Sequence, residues 1–187
     1  MTTSYAGKLL VAGPELLDPN FYRTVVLVCL HDEEGAFGLV LNRPLEERVV
    51  DHLGGWGEWA SPPPVFFQGG PVDPTSIVGL ARARDAGAFS IPVSADGRSR
   101  GIGLLHLGQE PGDWLEAVDA VRIFAGYAGW GGGQLEAEVA QNAWFVVDAL
   151  PADPFSDRPD DLYREVLRRQ AGDLALFAFL PADPSVN

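Results

Sequence analysis

The chain has 187 residues, enough to bury one substantial core and short for two, so a single domain over residues 1–187 is expected. Its 13 basic and 26 acidic residues give a formal charge of −13, which repels phosphate backbones and anionic lipid and argues against direct nucleic-acid or membrane binding. One cysteine excludes an internal disulfide, no apolar run approaches the ~20 residues of a membrane helix, and the first residues lack a signal-peptide pattern, so a soluble cytoplasmic protein is the expectation.

Residues 8–12 read as a short first strand, stopped by Gly13 and Pro14. Residues 16–19 form a turn, because Asp18 accepts local backbone hydrogen bonds and Pro19 fixes φ. Residues 23–31 are almost unbroken aliphatic and β-branched positions, the pattern of a central strand covered on both faces. Residues 32–35 are a hairpin turn and residues 36–41 the return strand, ended at Asn42, Arg43 and Pro44. Residues 45–53 predict a short helix with Leu45 and Val49 inward. Residues 54–64 predict a loop carrying Trp56, Trp59 and three prolines. Strands are expected at 65–68 and 76–81, a polar turn at 82–87, and a hairpin about Asp96 and Gly97 between 89–93 and 102–107. Asp113 can cap a helix running to Ala120.

Residues 121–124 predict a buried strand, followed by a turn with glycines at 126, 129 and 131–133, a helix over 134–141 and a strand over 144–147. The fragment Leu-Pro-Ala-Asp-Pro occurs at 150–154 and again at 180–184, read as two strand-ending turns. Residues 160–170 have the strongest helical pattern, with acids at the start and Arg168 and Arg169 at the end. Residues 174–179 predict a last strand, with a loose tail from Pro181. Interspersed strands and short helices argue an α+β fold.

No catalytic constellation stands out. The glycines before residue 134 fit neither the dinucleotide fingerprint nor the lysine-bearing phosphate loop. His31, His52 and His106 lack metal spacing, so neither a metal nor a cofactor is expected. Cys29 reads as an inert core thiol, and His31 as a loop histidine bonding backbone. The polar pair Asn42 and Arg43 stands at a strand end, where ligand sites often lie. Tyr127 and Trp130 sit among glycines, and Gln134 opens the following helix. These residues, with Gly69 and Gly70, are the candidate ligand-binding set. Three strand-ending breaks, at 42–43, 69–71 and 127–134, are expected to meet on one side of the sheet.

Several blocks together resemble the YqgE/AlgH family of bacterial proteins: residues 7–12 with Pro14, residues 17–19 with Phe21, residues 23–26, His31, residues 35–44, residues 69–72, residues 126–130, then Gln134, Leu135, Glu136, Glu138 and Trp144. The resemblance spans most of the chain and is weakest over 79–112. It implies an α+β fold built on a mixed, partly barrel-like sheet with several short helices around it. The family is largely uncharacterised, some members carry a transcriptional-regulator label, and there are no accepted catalytic residues to transfer.

Three function classes follow, in order of preference. The first is a non-enzymatic cytosolic module that binds a small ligand or a protein and acts indirectly in transcriptional regulation. The second is a small-molecule hydrolase or nucleotide-handling enzyme using Asn42, Arg43 and Gln134. The third is a direct DNA-binding regulator. A monomer or weak homo-oligomer is expected.

Overall fold

The structure is a computed structural model that describes residues 4–84, 93, 101–108, 111–113 and 116–182. Among the described residues nine strands build a mixed sheet: β1 (Lys8–Ala12), β2 (Val25–Asp32), β3 (Gly35–Val40), β4 (Pro44–Arg48), β5 (Val65–Gln68), β6 (Val72–Ala83), β7 (Ile102–Leu105), β8 (Val118–Gly131) and β9 (Trp144–Asp148). The order is β4-β5-β8-β3-β2-β1-β9, with β6 joined to β8 and β7 to β6. The β5–β8 pair is parallel and the other pairs are antiparallel. Among the described residues three α-helices accompany the sheet: α1 (Val50–Trp59), α2 (Gln134–Ala140) and α3 (Pro159–Arg168). This is the α+β architecture expected of the chain.

The local reasons are legible. Val25 to Cys29 are all buried, because β2 lies between β1 and β3 with both faces covered. Asp32 closes the hairpin by accepting the Glu34 N–H at 2.8 Å, a local bond that favours the turn. On α3, Leu162, Val166 and Leu167 face the main core, while Asp160 and Asp161 complement the positive end of the helix. A second, smaller core gathers Val49, Trp56, Phe66, Val121 and Ile123 beneath α1.

Four expectations are corrected. Residues 45–48 extend β4 and pair with β5: leucine and glutamate favour helix, but pairing overrides a weak propensity. The helix starts instead at Val50 and continues to Trp59 through a kink at Leu53 and Gly54, anchored by Trp56, which is 5% exposed. Residues 118–120 belong to β8, facing Arg82 and Ala83 of a longer β6. Residues 172–179 form a 3-10 helix, with Phe177 stacked on Phe145 at 5.5 Å; a short apolar run does not distinguish strand from helix by pattern alone.

The fourth correction concerns the glycine-rich stretch. β8 runs through Gly126 and Gly129 to Gly131, and only Gly132 and Gly133 turn the chain into α2. These glycines let neighbouring backbone come close, a role they share with bending. The hairpin expected at Asp96 and Gly97, and the tail beyond Ala182, lie outside the described residues.

Candidate functional site

The candidate residues fall into three groups, of which the Gly69–Gly70 corner and the Asn42–Arg43 corner adjoin each other: the Val40 N–H donates to Gly69 O and the Gln68 N–H to Arg43 O, each at 2.8 Å. At the start of β3, Gly35 pairs with Gly131 and Ala36 with Trp130. Asn42 lies seven residues further along, so roughly 20 Å separates the two ends at ~3.3 Å per residue. The turn before α2 and the Asn42–Arg43 corner thus lie at opposite ends of β3, and no residue of 127–134 lines either pocket at that corner.

At the first place, Trp130, Trp144 and Phe21 form an aromatic cluster, with the two indoles 6.1 Å apart. Glu138 holds it together. Its Oε2 accepts the indole N–H of Trp130 at 2.9 Å and of Trp144 at 2.8 Å. Its Oε1 accepts Gln134 Nε2 at 2.9 Å, and Gln134 Oε1 accepts the Gly131 N–H at 3.1 Å. Trp130 is buried, and Gln134 is committed to the turn. Both are structural.

At the second place, the Gly69–Gly70 corner fits against β8. The Gly69 N–H donates to Ala125 O at 2.9 Å, and its carbonyl accepts the Val40 N–H at 2.8 Å. A Cβ on Gly69 would stand 2.3 Å from Gly126 O, and one on Gly70 would stand 2.2 Å from the Tyr127 backbone. Gly70 also has a φ of +155°. Tyr127 packs on Phe37 at 4.9 Å. Close packing accounts for this group.

The third place is open. A pocket of about 190 Å³ is lined by Tyr22, Arg23, Asn42, Arg43, Asp160, Tyr163, Arg164 and Ala182. A recess of about 170 Å³ adjoins it across Tyr22, Arg23 and Tyr163. Asn42 and Arg43 build its wall by bonding the preceding turn. Asn42 Oδ1 accepts the Val25 N–H at 3.0 Å, and its Nδ2 donates to Arg23 O at 2.9 Å. Arg43 Nη2 donates to Tyr22 O at 2.6 Å. Between them Arg23 adopts a φ of +53°, a left-handed conformation uncommon outside glycine.

The Arg23 guanidinium lies 4.7 Å from the centre of the Tyr163 ring. Its Nη1 donates to the carbonyls of Leu180 and Pro181 at 3.2 and 3.5 Å. The Tyr163 hydroxyl donates to Ala12 O at 2.8 Å. Burial pushes the pKa of this phenol up; Arg23 opposes the shift and Tyr22 adds to it. The phenol is therefore neutral at pH 7 and serves as a donor.

The other chemistry-bearing groups are occupied elsewhere. The Cys29 thiol is 1% exposed, and burial pushes its pKa far up. His31 Nδ1 accepts the Tyr5 N–H at 2.9 Å, as a backbone-bonding histidine should. Its Nε2 is 3.2 Å from Glu136 Oε1 without the alignment of a hydrogen bond. No group of three or more possible metal-ligating side chains occurs among the described residues. A separate apolar groove of about 400 Å³ lies among Leu45, Leu53, Phe66 and Ile77, with His52 and Glu47 at its rim.

Sequence reasoning missed Arg23, Tyr22, Tyr163 and Arg164, which the fold brings to Arg43 from distant positions. It also missed Arg122 and Glu138. Arg122 stands alone in an apolar run, and two indoles near Glu138 each need an acceptor; both were available signals.

The family profile described as AlgH-like matches residues 9–175. A UPF0301 protein of Streptomyces coelicolor is 50% identical over 186 residues, covering 99% of this chain and 96% of the relative. One from Mycobacteroides abscessus is 41% identical, covering 97% and 88%. The crystal structure of protein DIP2367 from Corynebacterium diphtheriae superposes with a TM-score of 0.87 at 29% identity, covering 96% of this chain and 94% of that one. The solution structure of the AlgH protein from Pseudomonas aeruginosa gives a TM-score of 0.68 at 28% identity, covering 97% and 98%. Sequence along nearly the whole length and fold thus agree, and the chain belongs to the AlgH-like, or UPF0301, family.

Proposed function

We propose that residues 1–187 act as a single-domain, non-enzymatic cytosolic module that binds a small ligand at the Asn42–Arg43 pocket and acts indirectly in regulation. One observation carries this reading: the pocket lining. Three guanidiniums and two tyrosine rings surround it; the tyrosine hydroxyls are spent on Ala12 O and Ala182 O, and the guanidiniums are donors that hold a ligand rather than groups that attack one. Arg43 is the member of the candidate set that reaches this pocket with donors to spare, while Asn42 positions Arg23. The charge of −13 favours an indirect route to any transcriptional effect over direct contact with DNA.

The test is a thermal-shift screen of small metabolites with mass spectrometry of each positive mixture. A bound module predicts molecules that raise the melting temperature and are recovered unchanged. Conversion of a stabilising molecule into product would replace the module by an enzyme.

A further inference from the structure

We propose that the pocket formed by Tyr22, Asn42 and Tyr163 is an oxyanion site, taking a small molecule through its phosphate or carboxylate group. This rests on the binding-module reading above and gives its ligand a chemical class.

Charge is the first argument. In a chain with twice as many acids as bases, three guanidiniums line one small pocket against a single carboxylate, Asp160. Three other arginines are neutralised, Arg82 by Asp119, Arg158 by Asp161 and Glu165, and Arg169 by Asp153, and the buried Arg122 spends its guanidinium on backbone carbonyls. Arg23, Arg43 and Arg164 hold no carboxylate among the described residues, although acids outnumber bases throughout. Guanidiniums left together and unpaired present forked donors that match a phosphate or carboxylate.

Donor availability is the second. Arg43 spends one nitrogen on Tyr22 O. Arg23 spends one on two neutral carbonyls at 3.2 and 3.5 Å, long bonds that a charged oxygen would outcompete. The turn holding Arg23 is clamped by the Asn42 amide on both sides, at Val25 N–H and Arg23 O. A left-handed non-glycine residue held by its surroundings is the kind of strain that collects at functional sites.

Size is the third. The pocket of about 190 Å³ is by itself below the ordinary range for drug-sized ligands, and its adjoining recess of about 170 Å³ brings it only to the lower end of that range. It suits an oxyanion with a small organic body resting on the two tyrosine rings.

The experiment is an amide and side-chain NMR titration of the full chain with inorganic phosphate, phenyl phosphate, benzoate and neutral benzamide. Arg164→Glu is the companion variant, because Arg164 is exposed and carries no fold-holding bond among the described residues. The expected result is that the three anions shift the Asn42 side-chain amide and the Tyr22 and Arg23 signals. Phenyl phosphate binds more tightly than phosphate, and benzamide leaves these signals unmoved. Arg164→Glu weakens the anions by about tenfold at an unchanged melting temperature, and added salt weakens them too. The relative affinities of phenyl phosphate and benzoate assign the group. Benzamide shifting the same signals as strongly as benzoate would overturn the oxyanion class and leave the binding module standing. Anion binding that Arg164→Glu does not weaken would place the anions elsewhere and also overturn it. If no probe, charged or neutral, moves the pocket signals, both the class and the pocket assignment fall.

Discussion

Replacing Arg122 by methionine removes the most heavily bonded side chain in the molecule's interior. Arg122 sits in β8 at 1% exposure. It donates to Ser61 O at 2.9 Å, Pro62 O at 3.1 Å, Pro63 O at 3.0 Å, Pro154 O at 3.3 Å and Ser156 O at 2.9 Å. Its guanidinium also lies 4.2 Å from the centre of the Phe67 ring. Burial pulls its pKa down to about 10, which still leaves a cation at neutral pH. Hydrogen bonds from a charged donor are worth about 1.5–3 kcal/mol each, and a bare sum of five would rival the ~5–15 kcal/mol stability of a whole domain. Two effects reduce it. Pro62 is exposed and Ser61, Pro63 and Ser156 are half-buried, so their carbonyls regain water. Methionine also escapes the cost of burying a charge. The buried Pro154 carbonyl and the loss of the ring contact remain. We expect Arg122→Met to lower unfolding free energy by about 3 kcal/mol. Arg122→Lys, which keeps the charge but not the fork, should lose about half of that. Urea unfolding monitored by circular dichroism reads both. The two tethered segments should also become sensitive to limited proteolysis in the methionine variant. A loss below about 1 kcal/mol, or a lysine variant as weak as the methionine one, would refute the view that Arg122 ties these loops to the sheet.

Glu138→Ala should strand two indole N–H groups and cost about 2 kcal/mol, with a changed tryptophan emission; unchanged stability would mean that the Trp130–Trp144 cluster does not depend on its acceptor. Gly70→Ala adds a Cβ where the Tyr127 backbone lies 2.2 Å away, so it should destabilise by about 3 kcal/mol or more; a soluble variant with the wild-type melting temperature would show that the corner relaxes freely. Cys29 should resist a thiol reagent in the native protein and react on denaturation, while rapid native labelling would place β2 nearer the surface than the fold does.

Legibility in the sequence followed the physics of each element. β1, β2, β3, β5 and β9 were recognisable because their apolar runs are bounded by turn residues whose local chemistry is short-range. Residues 45–48 and 172–179 were not, since what decides them is a partner strand in one case and packing on Phe145 in the other. The glycines of β8 have the sequence pattern of a turn because glycine serves both bending and close approach, and only the neighbouring Gly69–Gly70 corner decides between them. Of the candidate site, Asn42 and Arg43 were visible as a polar pair ending a strand. Arg23 and Tyr163 were not, because 140 residues of chain separate two groups that stack on each other. Trp130 and Gln134 were noticed correctly as unusual, but their partners, Glu138 and the Gly131 N–H, make them structural.

Binding of a small molecule at the proposed Tyr22–Asn42–Tyr163 pocket is tested most directly by a crystal structure of the protein with a molecule taken from the thermal-shift screen. The prediction is ligand density between Tyr22 and Tyr163, in contact with Arg43, with the molecule intact. Density in the apolar groove of Leu45, Phe66 and Ile77 instead, with the arginine pocket empty, would contradict it.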